Sequence, residues 1–225
     1  MLRGGWARRQ EDMLLKIWGR EDSLSVQKVM WCIRELDIPY EQINLGKGYE
    51  SPNQPWYLKM NPTGTIPTID DDGFVLWESN AIVKYLCAKH SPGNLSPTDP
   101  HEYADADRWI SWQGTTLWPP MREMLLKLVR MPEDKRDPKR IAELVATVTE
   151  HWQVLNGRLE GRKYIMGERF TMADIVFGPH IYRWFTYPIL RPNLPHLRDW
   201  YERFLTHKYY KPRFTAGDVI TALKE

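Results

Sequence analysis

"NPTGTIPTIDDDGFVLWESNAIVKYL", Asn61 to Leu86, changes its periodicity twice within one short stretch. Two short apolar runs, Thr68 to Asp70 and Phe74 to Trp77, flank a DDG turn of hairpin type. From Ser79 onward, Ile82, Val83 and Leu86 share one face of a helix. The segment therefore reads as ββα. Pro67 stands at the mouth of its first strand, where a missing N–H breaks the ladder unless the strand is an edge or the chain turns there. A trans edge proline and a cis peptide both satisfy that condition.

Upstream, Leu14 to Trp18 is apolar, short and ended by Gly19, as suits a buried strand. From Ser25, the residues Val26, Val29, Met30 and Ile33 form an apolar helix face that ends near Pro39. A strand at Tyr40 to Asn44 follows, then a Gly/Pro/Asn-rich loop, "GKGYESPNQPW". The order is βαβ and then ββα. Downstream, the Pro/Ser/Gly-rich segment within His90 to Glu102 reads as an interdomain linker, placed at 92–102. Everything after it is helical in pattern: Tyr103 to Arg130, Pro138 to Leu159, Thr171 to Tyr187 and His196 to Leu205. Pro119 and Pro120 remove two backbone donors inside the first of these, so a kink or break is expected there. Asp137 before Pro138 is a cap, and Thr171 with Asp174 has capping-box spacing.

The chain has 225 residues and is 42% hydrophobic, enough for two modest domains with real cores. Its 31 basic residues nearly balance 29 acids, and a net charge of +2 gives no electrostatic reason to expect nucleic acid or an anionic membrane as a partner. No run approaches a membrane span, and the first residues lack the apolar core of a signal peptide. Cys32 and Cys87 lie far apart, on apolar helix faces, without metal-site spacing. A soluble protein of the reducing cytoplasm, with no metal, is the expectation. Residues 1–12 are read as a disordered extension ahead of a domain spanning 13–91, with an all-helical domain over 103–225.

"NPTGTIP", "LWESNAI" and the earlier "SLSVQKV", together with the later "FTMADI", resemble the cytosolic glutathione transferases, and within them the bacterial glutathione transferase B-like group. Four motifs in the right order cover nearly the whole chain from Met13. The resemblance implies a fold class of α/β followed by all-α: a thioredoxin-like N-terminal domain with a cis-proline at Pro67, then a helical domain. It implies glutathione as co-substrate, a small electrophile held between the domains, a homodimer, and a role in detoxification.

The resemblance also assigns residues. Ile66 would present its backbone to the cysteinyl part of glutathione as an added strand does. Glu78 would bind the γ-glutamyl ammonium, while the Ser79 hydroxyl and the helix N-terminal amides hold its carboxylate. Ser79 also reads as a plain N-cap, and the two roles are compatible. Asn80 would add a contact, and Lys47 would meet the glycyl carboxylate unless it faces solvent. The sulfur-contacting position falls on Ser23, with Ser25 as N-cap or as an alternative contact. A thiol of pKa about 8.5 needs roughly 2.7 kcal/mol of selective stabilisation to ionise two units lower. The acids Glu21 and Asp22, if turned toward the sulfur, would oppose this. Trp118 and Met121 would wall the electrophile site and Tyr182 would close it; Arg122 and Arg130 are either anchors for an anionic co-substrate or ordinary surface arginines. Other functions of the same fold are a glutathione-dependent disulfide or peroxide reductase and a non-catalytic glutathione carrier.

Overall fold

The computed structural model describes residues 14–212. The extension expected at residues 1–12 lies outside the described residues. The chain begins with β1 (Leu15–Trp18), α1 (Leu24–Glu35) and β2 (Tyr40–Ile43), followed by a single helical turn, α2 (Pro55–Leu58). Next come β3 (Thr68–Asp71), β4 (Phe74–Trp77) and α3 (Ser79–His90). The sheet order is β2-β1-β3-β4. β1 and β2 run parallel, Leu15 opposite Tyr40, because α1 supplies the crossover that a parallel pair needs. β3 is antiparallel to β1, with Ile17 opposite Ile69, and to β4, with Thr68 opposite Trp77. In the DDG turn Asp72 and Gly73 both have positive φ, 53° and 88°, the conformation that lets a two-residue hairpin follow the strand twist. This is the mixed sheet of a thioredoxin-like domain.

The second domain comprises α4 (Pro100–Trp112), α5 (Trp118–Leu125), α6 (Pro138–Arg158), α7 (Met172–Thr186) and α8 (Pro195–Leu205). α4 starts at Pro100, earlier than the apolar pattern suggests, because the Asp99 carboxylate caps the amides of His101 and Glu102. Pro119 and Pro120 cause no break. A wide π turn, Gln113–Leu117, joins α4 to α5 and places both prolines in the first turn of α5, where missing donors cost least. A second π turn, Leu126–Arg130, closes the run. The start of α7 is built on Asp174, a fully buried carboxylate that accepts from the amides of Thr171 (2.9 Å) and Ile165 (3.0 Å) and from Trp200 Nε1 (3.0 Å).

One hydrophobic core runs through both domains, since α1 packs against α3 on one side and α7 on the other. The α1–α7 approach depends on Gly178. A Cβ there would stand 2.2 Å from Cζ3 of Trp31, and Trp31 in turn packs on Phe204 and Tyr210. Cys32 and Cys87 are buried and unlinked in the α1–α3 seam, Sγ to Sγ 3.5 Å, as core residues.

Gly178→Ala is therefore expected to destabilise the protein. Helix propensity favours alanine by about 1 kcal/mol, whereas overpacking against a rigid indole costs roughly 1–3 kcal/mol or more. The check is the urea midpoint of the variant: a higher midpoint than wild type would mean that Trp31 yields freely.

Candidate active site

Two cavities meet at the start of α1. The first, about 250 Å³, is lined by Ser25, Thr65, Ile66, Pro67, Glu78 and Ser79 from the sheet domain and by Trp118 and Arg122 from α5. The Ile66–Pro67 bond is cis. Its loop is held from behind by Tyr57, whose hydroxyl donates to Thr65 O at 2.6 Å, and by Asn61, whose Nδ2 donates to the same carbonyl at 2.9 Å and to Thr68 Oγ1 at 3.1 Å. Glu78 turns the chain from β4 into α3 with φ 71°, leaving its own side chain exposed and Ser79 as the first helical residue. Glu78, not Ser79, is thus the N-cap; Ser79 occupies the first turn, lining the cavity beside the α3 amides.

The second cavity, about 150 Å³, lies between the β1–α1 turn and α5 with its adjoining π turn. Ser23 and Ser25 both line it, and Ser25, Trp118 and Arg122 are common to both cavities. Ser23 is the N-cap of α1, correcting the expectation that Ser25 would be. The Ser23 side chain makes no capping hydrogen bond, which leaves its hydroxyl for a ligand. Asp22 faces Arg20, Oδ1 to Nη1 3.3 Å, and its carbonyl accepts from Arg183 Nη2 at 3.5 Å. Glu21 lines a separate hollow with Gln27, Trp31 and Pro179. Neither acid is left as an uncompensated charge aimed at the serines.

Several expected contacts lie elsewhere. Met121 is a core residue, 2% exposed, whereas Trp118 and Arg122 of the same helix line both cavities. Tyr182 lines neither cavity, while its neighbour Arg183, 1% exposed, lines the second. Lys47 is exposed in its glycine-flanked loop and lines neither. Arg130 is exposed and lines the second cavity.

The Asn80 side chain turns away from the cleft into the domain seam. Its Oδ1 accepts from Lys28 Nζ at 2.8 Å, and its Nδ2 donates to Ile110 O (3.2 Å) and Gln113 Oε1 (3.1 Å). Lys28 also reaches Gln113 Oε1 at 3.4 Å. Gln113 Nε2 then lies 3.1 Å from His180 Nε2, and His180 Nδ1 lies 3.2 Å from Val176 O. One assignment satisfies every group: His180 is neutral, donating from Nδ1 and accepting at Nε2. Burial supports this by pushing the His180 pKa well below its ordinary value. Burial also lowers the Lys28 pKa to about 7, against the opposing pull of Glu78. These residues had no signal in the sequence beyond polar side chains on apolar faces.

The glutathione S-transferase N-terminal domain family matches residues 18–94 of the chain, and the glutathione S-transferase C-terminal domain family matches 138–203. Glutathione S-transferase GstB of Escherichia coli (strain K12) is 34% identical over 84% of this chain and 92% of its own. The chain belongs to the glutathione S-transferase family. The theta class glutathione S-transferase from Xanthomonas axonopodis pv. citri, solved with glutathione bound, superposes with a TM-score of 0.83 at 40% identity, covering 87% of this chain and 94% of that one. Glutathione S-transferase 1 of Manduca sexta is 29% identical over 92% of this chain and 95% of its own. Among the described residues no helix of this glutathione S-transferase is long and apolar enough to cross a membrane.

The buried lysine gives a pH test. Because its pKa is lower folded than unfolded, the unfolded chain binds a proton that the native one lacks between about pH 7 and 10.5. Stability from this residue is therefore lost as pH falls toward 7 and recovered as pH rises, by about 1 kcal/mol per pH unit within that window. Lys28→Met removes the effect, so urea midpoints of wild type should gain on the variant between pH 7 and 9.5. A difference that stays constant with pH would give Lys28 an ordinary pKa.

Proposed function

We propose that the protein, as a glutathione transferase with glutathione as its co-substrate, binds the tripeptide in the first cavity and delivers its thiolate to a small electrophile in the second. The observation that supports this is the junction at Ser25: it adjoins Ile66, Pro67, Glu78 and Ser79 on one side and the second cavity on the other. The tripeptide would lie along Ile66 as an added strand, its γ-glutamyl carboxylate at Ser79 and the α3 amides, its ammonium at Glu78. The cysteinyl sulfur would then reach Ser25.

Ser25 is the nearer donor to the sulfur in this arrangement, and Ser23 the second. Hydroxyl hydrogen bonds and the positive end of α1 both favour the thiolate over the thiol. Arg20 offsets Asp22, so the acids do not cancel that effect. Holding the thiolate against an electrophile in a shared cleft supplies the remaining advantage through proximity. Homodimer assembly, a cytoplasmic site of action and a detoxifying role belong to the same proposal, on family grounds.

The test is an ultraviolet titration of the bound glutathione thiolate. Wild type should show thiolate below pH 8. Ser25→Ala should raise the thiol pKa by about one unit, the worth of a single hydrogen bond to a charged group, with a smaller change in glutathione affinity. Ser23→Ala should shift it less. The reverse ranking would transfer the principal role to Ser23, and absence of thiolate below pH 8 in wild type would leave a carrier rather than an enzyme.

A further inference from the structure

The second cavity is unusual for a site that would hold an apolar electrophile. Its wall includes Arg20, Arg122, Arg130 and Arg183 against one carboxylate, Asp22, a formal lining charge of four positives less one negative, or +3. The four arginines come from separate elements: Arg20 from the β1–α1 turn, Arg122 from α5, Arg130 from the end of the second π turn and Arg183 from α7. Two of them are desolvated. Arg183 is 1% exposed, and Arg20 keeps a buried Nε that has no hydrogen-bond partner among the described residues. Arg122 and Arg130 are exposed at the rim. Placing guanidinium groups inside a cavity costs solvation, and an anionic ligand with two acceptor oxygens offsets that cost while matching their planar forks. Trp118, Leu24 and Leu125 leave room for an apolar body beside the charge.

We infer that the second substrate of this enzyme carries a carboxylate, held by the arginines of the cavity beside Ser23 and Ser25. The inference rests on glutathione occupying the adjoining cavity. Two sources share this chemistry: a small electrophilic acid, or the carboxylates of a second tripeptide, as in glutathione disulfide. For the small acid the step is a substitution. The glutathione sulfur forms a bond to the carbon bearing a halogen, the carbon–halogen bond breaks, and halide leaves with its electron pair, the thiol proton having passed to solvent.

The experiment compares a chlorodinitrobenzoate with its methyl ester, each with glutathione, after dividing every rate by its uncatalysed counterpart. Wild type should favour the carboxylate in kcat/KM by roughly tenfold, and added salt should shrink the preference. Arg122→Gln and Arg130→Gln, both at exposed positions, should each lower kcat/KM more for the carboxylate than for the ester, by several-fold. Equal use of the two forms, or a preference unchanged in both variants, overturns the inference. Glutathione binding to wild type is measured in parallel by calorimetry. If glutathione binds and the ester is turned over without any carboxylate preference, only this inference fails; if glutathione does not bind, the reading beneath it fails. Glutathione disulfide is tested as a competitor of the aryl acid. Competition weakened by Arg130→Gln assigns the carboxylate to a second tripeptide, and competition unaffected by that variant, beside an aryl preference that the variant reduces, assigns it to small acids.

Discussion

The catalytic cleft exists because two domains meet, and the polar contact that fixes how they meet is the buried set of Lys28, Asn80, Gln113 and His180. Each comes from a different element: α1, α3, the π turn after α4, and α7. Apolar packing between helices is tolerant of small slides, whereas hydrogen bonds near 3 Å are directional. The Lys28 amine is buried at this seam with its pKa lowered to about 7, so displacing its acceptors would leave a buried polar group unsatisfied, a cost of about 1–3 kcal/mol. The set sits one residue beyond Ser79, at the same helix start that lines the cleft. Position of the helical domain and geometry of the α3 terminus are thereby tied together.

Around that clamp, the apolar contacts set distance rather than direction. Trp31 lies on the bare backbone of Gly178, and the Tyr210 hydroxyl donates to the Gly178 carbonyl at 2.7 Å. α1 can then approach α7 closely, which brings Ser23 and Ser25 beneath the arginine of α7. Asp174 anchors the opposite end of the same helix through four donors, with Thr171 Oγ1 at 3.3 Å as the fourth. A helix fixed at its start and flattened in its middle leaves little freedom for Arg183.

The part of the molecule legible in the sequence is the part set by local rules. Pro67, the DDG hairpin, the Glu78–Ser79 entry into α3 and the Thr171–Asp174 box each depend on residues within a few positions of one another. The differences all involve long-range geometry or helix phase. The resemblance puts Trp118, Met121, Arg122 and Tyr182 at the cleft; within α5 Trp118 and Arg122, four residues apart, face the cavities while Met121 turns into the core. Asn80 reads as a ligand contact because it adjoins Ser79; its partners stand 52 and 33 positions away, on α1 and beyond α4. Arg183 carries one weak signal, a lone guanidinium in an otherwise apolar helix. Arg20 and Asp22 are visible as neighbours, but whether they pair or point at the serines is a matter of side-chain direction that spacing alone does not fix.

The arginine field and the thiolate answer to the same electrostatics. A unit positive charge about 7 Å from the sulfur, at an effective dielectric near 20, favours the thiolate by about 2 kcal/mol. A charge at that distance would supply much of the roughly 2.7 kcal/mol needed to bring a thiol two units below its ordinary pKa, and under the proposed binding mode the serine hydroxyls and the positive end of α1 add to it. Stabilising a thiolate also makes it a weaker nucleophile, since nucleophilicity falls with pKa. A carboxylate arriving among the arginines reverses part of that loss. Under the proposal its negative charge would cancel some of the field at the sulfur, raising the nucleophilicity of the thiolate together with its pKa. On the proposed reading, a cavity with net positive charge would therefore favour ionisation most strongly while empty, beyond what the serine hydroxyls and the α1 terminus supply in a cavity of any polarity.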